Sequence, residues 1–322
     1  MQELKHRTLT VNGINLHIAE QGSGPLIVLC HGWPELWYSW RQQIPMLAEM
    51  GFHVVAPDMR GFGQTDAPAR IEDYTILHTV GDIVGLVAAL NEHQAIVVGH
   101  DWGAPVAWTA AMLRPDVFRA VVAMSVPHRP RAPAAPLAIL RHGGLHNHYW
   151  IYFQTPGVAE EEFERDPDNT FRRLLCGLAS GEALDRDNPL LVPEGKGFLS
   201  RAVAPPALPA WLREEDIAVF ANEYRRTGFR GGLNWYRNMD RNWELTAPWQ
   251  GALIQQPALF IAGSRDPVIA GPRGAQAVEQ LKQFVPNVST KIVDGAGHWI
   301  QQERPQEVNA ALRDFLAPFK SA

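Results

Sequence analysis

Apolar and polar positions follow two rhythms along this chain. Over roughly the first 126 residues, short apolar runs alternate with longer amphipathic stretches. Residues 8–14 and 15–20 predict a hairpin that turns at Asn12-Gly13. Residues 25–30 and 95–98 are continuous apolar runs, the pattern of strands covered on both faces. Residues 40–50 predict a helix broken by Gly51, and 53–56 a further strand. Residues 74–91 predict an amphipathic helix with Ile76, Val80, Ile83, Val84 and Val87 on one side. A helix over 104–113 and a strand over 119–126 follow.

The alternation then stops. Residues 127 to about 250 contain no strand pattern; they carry Pro127, Pro130, Pro133 and Pro136, an acidic Glu160-Glu161-Glu162 and a proline-rich stretch at 204–209. Helices are predicted there at 160–172 and 213–226. Alternation resumes with a strand at 257–262, a helix at 274–284, a strand at 290–293 and a helix at 305–315. The expectation is an α/β protein with a mostly parallel central sheet, helices on both faces and an inserted helical cap. Residues 1–126 form the first part of the core, 127–250 the cap and 251–322 the second part. No internal repeat or low-complexity tract interrupts this scheme.

Composition narrows the classes of function. The chain is 46% hydrophobic and 20% charged, as an ordinary globular protein is. Its formal charge of −5, with no run of Lys or Arg, argues against a nucleic-acid partner. The two cysteines, Cys30 and Cys176, are far apart and fit a reducing compartment better than a disulfide framework. The N-terminus lacks the apolar core of a signal peptide, and no run reaches the roughly 18–20 apolar residues of a membrane helix. A cytoplasmic location is expected. The sequence leaves open whether the chain assembles as a homo-oligomer.

The candidate chemistry centres on Gly99-His100-Asp101-Trp102-Gly103. A buried strand precedes it and a helix follows, which is the strand–turn–helix arrangement that exposes a nucleophile. Here the nucleophile position is an aspartate. An aspartate side chain, with an ordinary pKa of about 3.9, is already ionised at neutral pH. It can attack an alkyl carbon directly and form an ester with it, which points to an epoxide or an alkyl halide as substrate.

His298 follows a predicted strand in Asp294-Gly295-Ala296-Gly297-His298-Trp299, where ligands of open α/β sheets bind. As a base it would activate a water against the ester. Asp266, in Gly263-Ser264-Arg265-Asp266-Pro267 after the strand at 257–262, is the candidate partner that orients it. The segment after the strand at 119–126 begins Pro127-His128 and offers no competing carboxylate. His31-Gly32-Trp33-Pro34 follows the strand at 25–30. The backbone N–H groups of Trp33 and Trp102 are the expected oxyanion donors. Four of the six tyrosines, Tyr149, Tyr152, Tyr224 and Tyr236, fall in or beside the cap; a phenol is a suitable acid for the alkoxide that epoxide opening creates. His142, His146 and His148 have no cysteine or carboxylate complement and do not make a metal site. No cofactor is expected.

Taken together these motifs resemble the epoxide hydrolases of the α/β-hydrolase fold, essentially from end to end. That family's HGxP motif supplies the oxyanion hole, often with a cis bond before the proline; His31, Gly32 and Pro34 match it, with Trp33 where phenylalanine is more usual. The resemblance implies Asp101 as nucleophile, Asp266 as charge-relay acid and His298 as base. It implies two cap tyrosines that hold the epoxide oxygen. The first lies three residues before Tyr152-Phe153-Gln154-Thr155-Pro156-Gly157-Val158-Ala159-Glu160, which makes it Tyr149 and leaves Tyr152 a packing neighbour. The second lies in Asn234-Trp235-Tyr236-Arg237-Asn238, which makes it Tyr236. The likeness is to the soluble epoxide hydrolases without their N-terminal phosphatase domain. The implied partners are a small apolar epoxide and water. Two other readings compete. A haloalkane dehalogenase would share the Asp nucleophile, but its Asn in HGNP is absent here and the tyrosine pair is present. A non-catalytic small-ligand receptor on this fold would have no use for the Asp101, Asp266 and His298 set.

Overall fold

The computed structural model describes residues 3–179, 190–202 and 204–320. Eight strands form one sheet: β1 (Lys5–Val11), β2 (Ile14–Gly22), β3 (Leu26–Cys30), β4 (His53–Pro57), β5 (Ala95–His100), β6 (Phe118–Met124), β7 (Ala258–Gly263) and β8 (Val288–Val293). Their order across the sheet is β1-β2-β4-β3-β5-β6-β7-β8. The β1–β2 hairpin turns at Asn12-Gly13, as its sequence predicts, and β2 pairs antiparallel with both β1 and β4. Every other pairing is parallel. The continuous apolar runs of β3 and β5 are fully buried because helices cover both faces. One core face holds Val28, Val97, Val121 and Phe260; the other holds Ile27, Val98, Val122 and Ile261.

Between β6 and β7 the described residues form helices and no strand, with one isolated bridge between His148 and Leu191. Two expected helices differ from the sequence reading. The segment 160–172 is two helices, Val158–Glu164 and Pro167–Ala179, separated where Pro167 opens the second. The segment 40–50 is a 3₁₀ turn at Trp37–Trp40 and a short α-helix at Ile44–Glu49, with Pro45 in its first turn. The helix Arg230–Arg237 lies directly on the core. A β-carbon on Gly231 would sit 2.0 Å from the Gly61 carbonyl oxygen, and one on Gly232 2.4 Å from the Trp33 ring. Trp235 Nε1 donates to the Arg60 carbonyl at 3.0 Å, and Asn238 Nδ2 to that of Ile71 at 2.6 Å. This contact brings Tyr236 down onto the C-terminal ends of the strands. No helix among the described residues is long and apolar enough to cross a membrane.

Candidate active site

His31, Asp101, Asp266 and His298 all lie just beyond the C-terminal ends of strands, respectively β3, β5, β7 and β8. Asp101 occupies the turn from β5 into the helix Gly103–Leu113 with φ +49°, a left-handed conformation that non-glycine residues seldom adopt. The turn is compact because its neighbours lack side chains. A β-carbon on Gly99 would meet the Gly103 carbonyl oxygen at 2.0 Å, and one on Gly103 the Cys30 carbonyl oxygen at the same distance. The helix behind presents Ala104, Ala107, Ala110 and Ala111 to the sheet, so it packs closely.

The Asp101 carboxylate is held from two sides. Its Oδ1 accepts the Trp33 backbone N–H at 2.8 Å, and its Oδ2 lies 3.3 Å from His298 Nε2. The Trp33–Pro34 bond is cis. The other ring nitrogen, His298 Nδ1, meets Asp266 Oδ1 at 3.0 Å; that oxygen also accepts the Val268 N–H at 2.9 Å. Burial opposes charge on the His298 ring, but the Asp266 and Asp101 carboxylates outweigh it and hold its pKa well above that of a free imidazole. The Trp102 N–H is close to the same place: a β-carbon on Gly32 would be 2.4 Å from Asp101 Oδ1 and 2.7 Å from Trp102 N.

Above this carboxylate stands an aromatic group. The Tyr149 and Tyr236 ring centres are 6.0 Å apart, and Tyr236 sits edge-on to Trp102 at 5.0 Å and to Trp33 at 5.8 Å. Phe153 packs against both, 5.5 Å from Tyr149 and 5.0 Å from Tyr236. Burial first, then the Asp101 charge, pushes the Tyr149 hydroxyl up; burial, then Tyr149 and Asp101, does the same to Tyr236. Both hydroxyls therefore keep their protons at neutral pH. Tyr152 has a different environment, its hydroxyl donating to Glu162 Oε2 at 2.9 Å. His142 and His148 are occupied separately, with the Ala138 carbonyl and the Trp150 N–H. Among the described residues no cluster of His, Cys, Asp or Glu gathers as metal ligands do.

A polar layer beneath the site is absent from the sequence reading. Glu35, wholly buried, accepts from His100 Nδ1 at 2.6 Å, Gly32 N at 3.1 Å and Gln301 Nε2 at 2.8 Å. Burial pushes the Glu35 carboxyl up, but His100 and then His31 outweigh it and bring it to about 2. His100 Nε2 lies 2.8 Å from the His298 carbonyl oxygen, which also accepts from Ser125 Oγ at 2.8 Å. Glu35 thus ties the Gly32–Trp33 loop to the His298 loop. Its partners lie 65 and 266 positions away in the chain, so nothing local signals the pairing. The nearest hint is that Glu35 and His100 adjoin the two motifs. His31 supports the same loop: Nε2 accepts the Met59 N–H at 2.9 Å, which leaves Nδ1 to donate to the Gly32 carbonyl at 2.8 Å.

A doubly covered, mostly parallel sheet with a strained aspartate after its fifth strand defines an α/β hydrolase. The family profile for the alpha/beta hydrolase fold matches residues 25–305. A curated epoxide hydrolase A from Mycobacterium tuberculosis is 46% identical over 313 residues, covering 96% of each chain. Epoxide hydrolase 3 from Siraitia grosvenorii is 44% identical over 325 residues, covering 99% of this chain and all of the relative. The crystal structure of an epoxide hydrolase A from Mycobacterium thermoresistibile superposes with a TM-score of 0.92 at 47% identity, covering 98% of both chains. The chain belongs to the epoxide hydrolases of the α/β-hydrolase fold.

Proposed function

We propose that the protein converts a small, largely apolar epoxide to a vicinal diol in two steps. In the first, the Asp101 carboxylate attacks an epoxide carbon from the side opposite the C–O bond that breaks. An alkyl ester forms, and the leaving oxygen takes a proton from Tyr149 or Tyr236. Burial makes these phenols weaker acids than usual, yet an alkoxide is a much stronger base than a phenolate, so the transfer remains downhill.

In the second step a water deprotonated by His298 attacks the ester carbonyl. The tetrahedral oxyanion is received by the N–H groups of Trp33 and Trp102. The acyl C–O bond breaks, the departing oxygen takes the proton that His298 received from the water, the diol leaves, and the new Asp101 carboxyl releases its proton to His298. Esterification itself prepares the base. It removes the Asp101 charge, one of the two carboxylates that hold a proton on His298. The imidazolium then gives up its proton, which restores the tyrosinate to tyrosine. The neutral imidazole is free to take a proton from water, with Asp266 orienting it and stabilising the imidazolium that forms. In this reading residues 127–250 act as a cap that supplies the tyrosines and keeps bulk water from the ester. Two free, buried cysteines suit a cytoplasmic setting.

The observation that carries the reading is the Asp101 carboxylate, gripped by the Trp33 N–H at 2.8 Å and faced by His298. The test is His298→Gln with a simple epoxide, followed by intact-mass measurement. The expected result is a protein heavier by one substrate, with the adduct on the Asp101 peptide. An unmodified protein that still produces diol would rule the ester out.

A further inference from the structure

His298 sits in an irregular turn between β8 and the four-residue helix Ile300–Glu303. The turn contains Gly295, with φ +70°, and Gly297. Its first part is fastened to the loop after β7: Gly295 N donates to Ser264 Oγ at 2.9 Å, and Arg265 N to the Ala296 carbonyl at 2.9 Å. The next two amides of the turn to be fastened, those of Gly297 and Trp299, share a single side chain. Glu303 Oε2 accepts the Gly297 N–H and Oε1 the Trp299 N–H, each at 2.8 Å. These two amides flank His298. On the opposite side of the same peptide, the His298 carbonyl is held by Ser125 and His100.

This carboxylate is an expensive way to cap a short helix. Burial pushes it up to about 7; the Gly297 and Trp299 amides and then the His298 charge oppose that shift, while the nearby Asp266 charge adds to it. A glutamine would fill the same space without charge, but it offers one acceptor oxygen and would turn an N–H₂ toward the second amide.

We infer that Glu303 is a positioning residue for the second half of the reaction, fixing the His298 main chain so that its ring meets both Asp266 and the attacking water. Asp266 can aim the imidazole only if the backbone carrying it stays in place. The nucleophile depends on it less: His298 faces one Asp101 oxygen at 3.3 Å, but the other is anchored at 2.8 Å by the Trp33 N–H on a separate loop. A displacement of about 1 Å in a catalytic group costs roughly 10²-fold in rate. The loss should therefore fall on ester hydrolysis and spare ester formation.

The inference rests on His298 being the base. The experiment is rapid quenching of Glu303→Gln and of the unaltered enzyme, with mass detection of the ester, to give both rate constants. Ester formation is expected within about twofold of the unaltered enzyme and hydrolysis about 10- to 100-fold slower, so the ester accumulates during turnover. Equal slowing of both steps, or no slowing of either, overturns the inference; a merely structural role would not separate them. If Glu303→Gln does not fold, Glu303→Asp, which withdraws the carboxylate by one methylene, is measured against the same two outcomes. His298→Gln is run beside it. Normal hydrolysis in that variant would sink the reading of His298 as base. A stalled ester there, with no split in the Glu303 variant, would sink only the positioning role.

Discussion

Gly32→Ala isolates one requirement of the proposed site, the close approach of the Gly32–Trp33 loop to Asp101. Gly32 does not occupy the left-handed region, so alanine fits its backbone and only space is at issue. The added β-carbon would lie 2.4 Å from both Cβ and Oδ1 of Asp101, whereas ordinary contacts begin at about 3.4 Å. The loop cannot retreat easily. Gly32 N is bonded to Glu35 Oε2 at 3.1 Å, and its carbonyl accepts Glu35 N at 3.0 Å and His31 Nδ1 at 2.8 Å. Asp101 must therefore move by about 1 Å and loosen its bond to the Trp33 N–H, which predicts roughly a 10²-fold fall in the rate of ester formation. The same overpacking should cost about 1–3 kcal/mol of stability, leaving the protein folded. Single turnover with enzyme in excess measures the first quantity, and urea unfolding followed by circular dichroism the second. A folded Gly32→Ala protein that forms ester at the unaltered rate would refute the geometric argument.

Two further outcomes are expected. Tyr149→Phe and Tyr236→Phe should each slow ring opening, and the double variant should nearly abolish it, because either hydroxyl alone can still protonate the leaving oxygen; normal epoxide turnover by the double variant would remove tyrosine from the mechanism. The second concerns acid stability. Burial, with the charges of Arg201 and Arg273, presses the His148 pKa down to about 4. An unfolded histidine binds its proton near 6.5, so the unfolded state holds more protons between these values and stability falls as pH drops from 6.5 toward 4. The loss is on the order of 3 kcal/mol. In His148→Gln the urea midpoint should depend less on pH across that window, and an unchanged dependence would contradict the assignment.

The parts of this protein legible in its sequence are those whose signal is local. The apolar runs of β3 and β5 announce strands buried on both faces, and Asn12-Gly13 announces its hairpin. The Asp101 turn is readable because its glycines, strand and helix are contiguous. His298 and Asp266 follow from strand ends. Helix limits were less visible where prolines act: Pro167 begins a new helix in a segment whose composition reads as one, and Pro45 starts a helix later than the apolar pattern does. Least visible was the layer under the site. Neither Glu35 nor Glu303 stands out in the sequence. Their roles depend on partners brought together by the sheet, Glu35 with His100 and Gln301, and Glu303 with two peptide N–H groups. Hydrogen bonds to the main chain leave no pattern of residue types behind.

The central claim is that Asp101 attacks carbon and water attacks Asp101. One turnover of the unaltered enzyme in heavy-oxygen water, with enzyme in excess over epoxide, tests it directly. Digestion and mass spectrometry then locate the label. The account predicts label in the Asp101 carboxylate and a first-turnover diol that carries the original aspartate oxygen. Label in the diol alone, with an unlabelled Asp101 peptide, would mean that water opens the ring itself and would contradict the two-step mechanism.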